Sequence, residues 1–349
     1  MKRRAYVLLV TNAGIMAVLA FVVSRALGYP LRDPDGFLGP AWVRMPLLCL
    51  MGFAVDIVPR TIWRSRGRPG RFRGEAEGIL HEHWSRNRVA LVIIGVISFY
   101  AVYVSYRNLK NFLPFVRPFK YDYTLHNLDH LLLFGHDPTL LLQNLLGTGV
   151  SAHFLSWIYL IFLPLVPITV CAWAVWSRNV SFGYWYITAD CLAWSLGTAS
   201  YYIIPTLGPN FAFPWLYQGL AHTGVSALQD AIYYGRENVL LNPFSDGVQS
   251  VAGFASLHVA ITLVNALVAQ YTIRNKIITR TLWAYLVLVI VSTTYFGWHY
   301  IADDLAGALI AVISVYVGAL ATGQRFDRRG RSSHPTTTSS DVPIPASVD

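Results

Sequence analysis

The chain has 349 residues, of which 54% are hydrophobic and 13% charged, with a formal net charge of +9. A soluble domain carries about a quarter of its residues charged, so a water-soluble globular enzyme is excluded. Nucleic-acid binding is also set aside, because the basic residues fall in blocks between apolar runs, where membrane topology puts them. Cys49, Cys171 and Cys191 lie inside apolar runs without CxxC spacing and read as small buried hydrophobes.

Lys2, Arg3 and Arg4 precede an apolar run over 5–27. It is longer than the apolar core of a signal peptide, so a retained membrane helix is expected. A second run, 41–63, is interrupted by Arg44, Asp56 and Pro59. The arginine-rich segment 60–88 follows, and its stretch from Arg64 to Gly74 has no apolar period, which predicts an exposed, flexible turn. The third span is 88–106. Segment 108–150 carries Pro114, Pro118, Asp122, Asp129 and Pro138. Its Leu-rich pieces are too short to cross, which leaves surface helices or a re-entrant segment.

Spans at 152–176, kinked by Pro164 and Pro167, and at 181–204 come next. A second polar segment, 205–249, is rich in Pro, Gly, Asn and aromatic residues. Runs over 251–273, 281–298 and 300–321 complete a set of about eight spans of roughly twenty residues. The tail, 323–349, is basic and then rich in Ser, Thr and Pro, a composition that predicts disorder.

The expected fold is therefore all-α, a polytopic membrane helical bundle. Its expected parts are membrane anchor helices with an Arg-rich loop (1–88), a membrane-embedded catalytic domain (89–322) and the tail (323–349). Placing the N-terminus in the cytoplasm leaves most of the 27 Lys and Arg residues on the inner side. Both termini are then cytoplasmic, in a multi-pass protein of the cell membrane. Segments 28–40, 107–151 and 205–250 and the hinge at His299 fall on the extracytoplasmic face.

That face holds the residues able to do chemistry. His299 and Asp303 are four apart and share a helix face. The carboxylate fixes one imidazole nitrogen and leaves the other free to attack or to take a proton. The bland alternative is a His and an Asp that cap and pair at a helix start. Asp304 is the weaker partner, because it points to another face.

The stretch 250–258, SVAGFASLH, places Ser256 and His258 at the start of another helix, where free N–H groups favour an anion. Gly253 permits close backbone approach. Here Ser256 is either a phosphate ligand or an ordinary N-cap, and His258 either a proton donor or a satisfied interfacial ring. Lys110 and Arg117, with Arg107 one turn before Lys110, supply cations for a phosphate or else contact lipid headgroups. Asp122, Asp129, Asp137, Asp230 and Asp246 look scattered, with no HExxH motif, so no metal site is expected.

Lys110-x6-Arg117-Pro118, Ser256-Leu257-His258 and His299-x3-Asp303, in this order, resemble the three-part signature of the type 2 phosphatidic acid phosphatase superfamily. The Ser-Leu-His variant, the segment 122–143 with its LFGHDP, and YYIIPTLGPN at 201–210 are more similar to the inositol phosphorylceramide synthase-like branch. Residues 100–320 carry the resemblance. It departs in two places: Ala255 and Leu257 stand where the superfamily has Pro and Gly, and Thr293 stands where it has an Arg.

The resemblance implies a core of six helices and a lipid phosphatase or phosphotransferase. Its substrate would be a phospholipid or polyprenyl phosphate headgroup, and the acceptor water or an alcohol such as inositol or a lipid alcohol. It implies His299 as nucleophile, Asp303 as its orienting carboxylate and His258 as general acid and then base. Ser256, Lys110, Arg117, Arg107 and the backbone near Gly253 would hold phosphate, with no metal and no cofactor. Segments 108–150 and 205–250 would roof the site, with Asn210 and the turn 205–214 helping to choose the acceptor. A transporter or scaffold without chemistry is the competing reading. It asks for ionisable residues along a mid-membrane path, and Asp190 is the clearest one.

Overall fold

The computed structural model describes residues 5–36, 39–177, 179–244, 251–326 and 332–335. Asp246 and Ser250 lie outside them. The architecture is all-α. Helices α1 (Val7–Leu27), α2 (Ala41–Ser65), α3 (Phe72–His83) and α4 (Arg86–Val116) are followed by the short α5 (Asp122–Leu132) and α6 (Pro138–Leu146). Next come α7 (Val150–Trp176), α8 (Val180–Ile203), the single turn α9 (Pro209–Ala212) and α10 (Gly224–Leu241). The last three are α11 (Leu257–Thr272), α12 (Lys276–Tyr295) and α13 (Ile301–Ala321).

Six of these, α1, α2, α4, α7, α12 and α13, are long and apolar enough to cross a membrane. Their outward faces carry exposed apolar residues such as Val18, Phe21, Ile97, Leu305, Leu309 and Val312. Such a surface suits lipid, where every backbone group must be satisfied within the helix.

Two of the eight expected spans differ. Helix α8 is long enough, with 24 residues, but it is less apolar because it is the centre of the bundle. Trp185, Tyr186, Ile187, Ala189 and Asp190 are all 0% exposed, so its sides meet protein rather than lipid. Helix α11 has 16 residues and starts at Leu257, not at 251. Residues before it cannot be helical, because their N–H groups bond across the chain. Gly253 donates to the Thr206 carbonyl at 2.9 Å, and Phe254 to Thr206 Oγ1 at 2.9 Å. Ala255 donates to Ser200 Oγ at 2.8 Å.

Other boundaries move for equally local reasons. Helix α4 runs ten residues past the expected span, because Asn108, Leu109, Phe112 and Leu113 are buried and continue its inner face. The Arg-rich segment is not all turn. The bend at Arg66 and Gly67 is exposed, but α3 then packs on α2 through the buried Ile79. The contact is fixed by Arg64–Glu82 at 2.8 Å and by Trp84 Nε1 donating to Asp56 at 3.2 Å. In the tail read as disordered, Gln324–Phe326 pairs antiparallel with Ser332–Pro335. The Phe326 ring there packs beside Trp185, Tyr271 and Tyr316.

Candidate active site

The starts of α11 and α13 are tied to each other. Ser256 N–H donates to the Asp303 carbonyl at 2.9 Å. Gly307, nearly two turns into α13, lies against the Ser256 carbonyl, so a Cβ there would collide with backbone. Small residues let helices approach this closely in membranes. The result carries His258 and His299, 41 residues apart in the chain, into contact: His258 Nδ1 is 3.3 Å from His299 Nε2.

On its other side His299 Nδ1 lies 3.4 Å from Asp303 Oδ2, and that oxygen also accepts from Tyr300 N–H at 3.1 Å. Carboxylate, imidazole and imidazole thus form a line. Asp303 is 0% exposed and His299 5%, so the line runs out of water. Burial pushes the His299 imidazole down to about 4, with Asp304 opposing this and Lys110 adding to it. A neutral ring is the nucleophilic form. Asp304 acts on the same ring through its charge, and its Oδ2 lies 3.5 Å from Thr294 Oγ1.

Tyr159 and Phe162 of α7 flank the His258 ring, at centroid distances of 4.7 and 4.4 Å. Trp298 stacks on Tyr159 at 5.0 Å. These rings form one wall of a cavity of about 270 Å³ that His258 and His299 also line. The facing wall brings cations. Lys110 and Arg107 line it from α4, and Arg44 from α2. Lys110 Nζ sits over the rings of Tyr106 and Tyr201, 5.8 and 5.7 Å from their centroids. The Arg44 guanidinium lies 5.7 Å from the Tyr103 ring. Aromatic faces can hold a cation where water is scarce.

The other expected ligands fall elsewhere. Arg117 does not line the cavity: it closes the C-terminal end of α4, seven residues and about 10 Å along the axis from Lys110. Ser256 is 0% exposed and accepts from Val259 N–H at 3.4 Å, which makes it the N-cap of α11. The Gly253 N–H is taken by Thr206, so it cannot hold an anion. The glycine is needed for space, since a Cβ would come within 2.6 Å of Thr206 Oγ1. Thr293, where the resemblance expects an Arg, is buried and bonds back to its own helix.

Sequence reasoning passed over three residues. Arg44 read as an interruption of a span, because nothing local says that α2 borders the cavity. Asp122 and Asp129 read as scattered acids. Asp122 accepts from Leu207 N–H, Gly208 N–H and the Tyr300 hydroxyl, each at 3.0 Å. Asp129 accepts from Ile301 N–H at 3.2 Å and so caps α13. Their signal was available, since seven residues is two helical turns and puts both on one face.

The second polar segment converges on the loop that carries His299. Asn210 N–H donates to the Gly297 carbonyl at 2.8 Å, and Gln229 Nε2 to the Phe296 carbonyl at 2.9 Å. Leu207, Leu228 and Ile232 complete the cavity wall. Asp190 is buried in α8 and is not among the lining residues. A polar path along the bundle, which the transporter reading needs, is therefore not built on it.

These features define a membrane protein in which a buried and a half-buried histidine share a cavity with Lys110, Arg107 and Arg44. The family model of the PAP2 superfamily matches residues 123–317, more than half of the chain, and the protein belongs to that superfamily of phosphatase-type membrane proteins. No curated protein and no solved structure matches it.

Proposed function

We propose that the protein is a lipid phosphatase or phosphotransferase working through a phosphohistidine at His299. The supporting observation is the 3.3 Å approach of His258 to His299 in the same cavity as Lys110, Arg107 and Arg44. A headgroup phosphate displaces the imidazole–imidazole contact, with phosphorus about 3–3.5 Å from His299 Nε2. Nε2 attacks, the P–O bond to the leaving group breaks, and His258 protonates the departing alkoxide. His258 then takes the proton of the incoming hydroxyl, which attacks the phosphohistidine and frees His299.

Asp303 holds the proton on Nδ1 throughout and offsets the charge that develops on the ring. Lys110, Arg107 and Arg44 stabilise the oxygens of the transferring group as charge builds on them. Arg44 occupies the part that the Arg absent at position 293 would otherwise play. Arg117 and Ser256 have no direct part in this scheme. No metal ion enters these steps.

The acceptor is water or an alcohol, and the resemblance to the inositol phosphorylceramide synthase-like branch favours an alcohol such as inositol. The apolar and aromatic wall suits a lipid-borne phosphate. In this reading the site opens to the extracytoplasmic side, with both termini in the cytoplasm.

The test is mass spectrometry of membrane lipids incubated with the detergent-purified protein, with and without inositol. Loss of a headgroup phosphate alone identifies a hydrolase, and a new phosphodiester a transferase. Lipids left unchanged by the protein, and identical to those incubated with His299→Ala, would refute the enzyme.

A further inference from the structure

A second set of chemistry-bearing side chains lies outside the catalytic cavity. His126 and His130 stand one turn apart on α5. The chain reverses between Leu133 and Asp137, with Gly135 N–H donating to the His130 carbonyl at 2.6 Å. It returns Asp137, the N-cap of α6, to the two rings. His126 Nδ1 is 3.8 Å and His130 Nε2 4.0 Å from Asp137 Oδ2. One ligand atom from each of the three residues lies within 4.8 Å of the other two.

Several observations favour a cation here over a simple acid–base pair. The two distances are too long for hydrogen bonds, yet both rings turn toward the same oxygen. His130 Nε2 is buried without a hydrogen-bond partner. The Asp137 carboxylate is divided in its work: Oδ1 accepts from Thr139 N–H at 2.9 Å and from Leu140 N–H at 3.0 Å, which directs Oδ2 to the rings. Bonds to the other carboxylate oxygen also orient a ligand in established metal sites. The His126 ring is held against Phe213 at 4.3 Å. Two His four residues apart on one helix face are a proven zinc-binding pair. Ligand atoms in a tetrahedral zinc site are about 3.3 Å apart, given bonds near 2.0 Å. The two ring nitrogens here stand 3.8 and 4.0 Å from Asp137 Oδ2, less than about 1 Å beyond that spacing.

We propose that His126 Nδ1, His130 Nε2 and Asp137 Oδ2 bind one divalent metal ion of the zinc class. Imidazole and carboxylate together suit zinc over calcium or magnesium, which prefer oxygen alone. The ion staples α5 to α6. Its role is positional: Asp129, the neighbour of His130, caps α13 at Ile301, two residues after His299. The inference does not depend on the phosphohistidine scheme, and its readout is binding.

Full-length, tag-free protein in detergent is stripped with a chelator and titrated with Zn²⁺, and in parallel with Co²⁺ as a spectroscopic probe. The expected result is one equivalent per chain, a visible Co²⁺ band of tetrahedral type, and a zinc-dependent rise in melting temperature. His130→Ala and Asp137→Asn abolish all three; the Asn keeps a side-chain oxygen to cap α6. His153→Ala, on exposed surface of α7, retains them. A stripped His130→Ala protein that melts where the stripped parent melts shows that the fold is intact. Absence of stoichiometric binding in the parent, or undiminished binding in both His130→Ala and Asp137→Asn, would overturn the site.

Discussion

Among the described residues, two constellations combine two histidines with one aspartate, and their side chains are arranged differently. In the first, the ring nitrogens of His258 and His299 face each other, and Asp303 faces the far nitrogen of His299. That is a line, and in the proposed scheme it leaves one nitrogen of His299 for attack while Asp303 holds the other. In the second, His126 and His130 both face Asp137 Oδ2. That is a convergence, and it offers three donors to one point. The residue types are identical; direction and burial separate the proposed nucleophile from the proposed ligand set. The first is held by the bonded starts of α11 and α13, and the second by a single reversal between neighbouring helices.

The largest expected effect comes from breaking the line at its centre. His299→Ala should lower lipid turnover by about 10⁴-fold or more, while the melting temperature in detergent stays near the parent value. His258→Ala should cost about 10²–10⁴-fold, the usual share of a general acid. It should cost least with a substrate whose leaving group needs no proton, such as a nitrophenyl phosphate. An equal loss with both substrates would place His258 in binding instead.

The cation wall comes next. Arg44→Ala and Lys110→Ala should each cost about 10²–10³-fold in kcat/KM, as for a lost donor to a charged transition state. Arg117→Ala, outside the cavity, should leave kcat/KM close to the parent. The reverse ranking would show that the anion sits at the end of α4.

A smaller effect is expected from pH. Burial holds the free His299 ring down to about 4, so the ring is neutral and able to attack above that value. The acid limb of kcat/KM should therefore fall near about 4, well below the ordinary histidine value of about 6.5. A midpoint near 6.5 would indicate a ring exposed to water. The same depression disfavours the folded state in acid. The unfolded chain takes up the proton first, so stability contributed by the neutral ring is lost as pH falls below about 6.5.

The smallest effect on chemistry should come from the convergent site. Stripping zinc should lower the melting temperature and leave turnover at moderate temperature unchanged. A collapse of turnover restored only by metal would mean that the second constellation takes part in the reaction.

Much of this was legible in the chain. Apolar runs gave the bundle, and the spacing of His299 to Asp303 gave a shared face. Spacing did not reveal what faces what. Ser256 fits an anion site and an N-cap equally well from sequence, and only its complete burial decides for the cap. Lys110 and Arg117 look like one cluster, yet two helical turns separate them. Arg44 was illegible, because its meaning depends on α2 packing beside α4 and α7. Asp137 seemed isolated, because a reversal returns it to a helix whose histidines had not been considered beside it.

The most direct test of the account is to catch the intermediate. Protein mixed with a short-chain lipid phosphate is quenched in base, where phosphohistidine survives, and digested for mass spectrometry. The account predicts one phosphoryl group on the peptide containing His299, absent in His299→Ala and persisting longer in His258→Ala. Phosphate on any other residue, or parental turnover by His299→Ala, would contradict it.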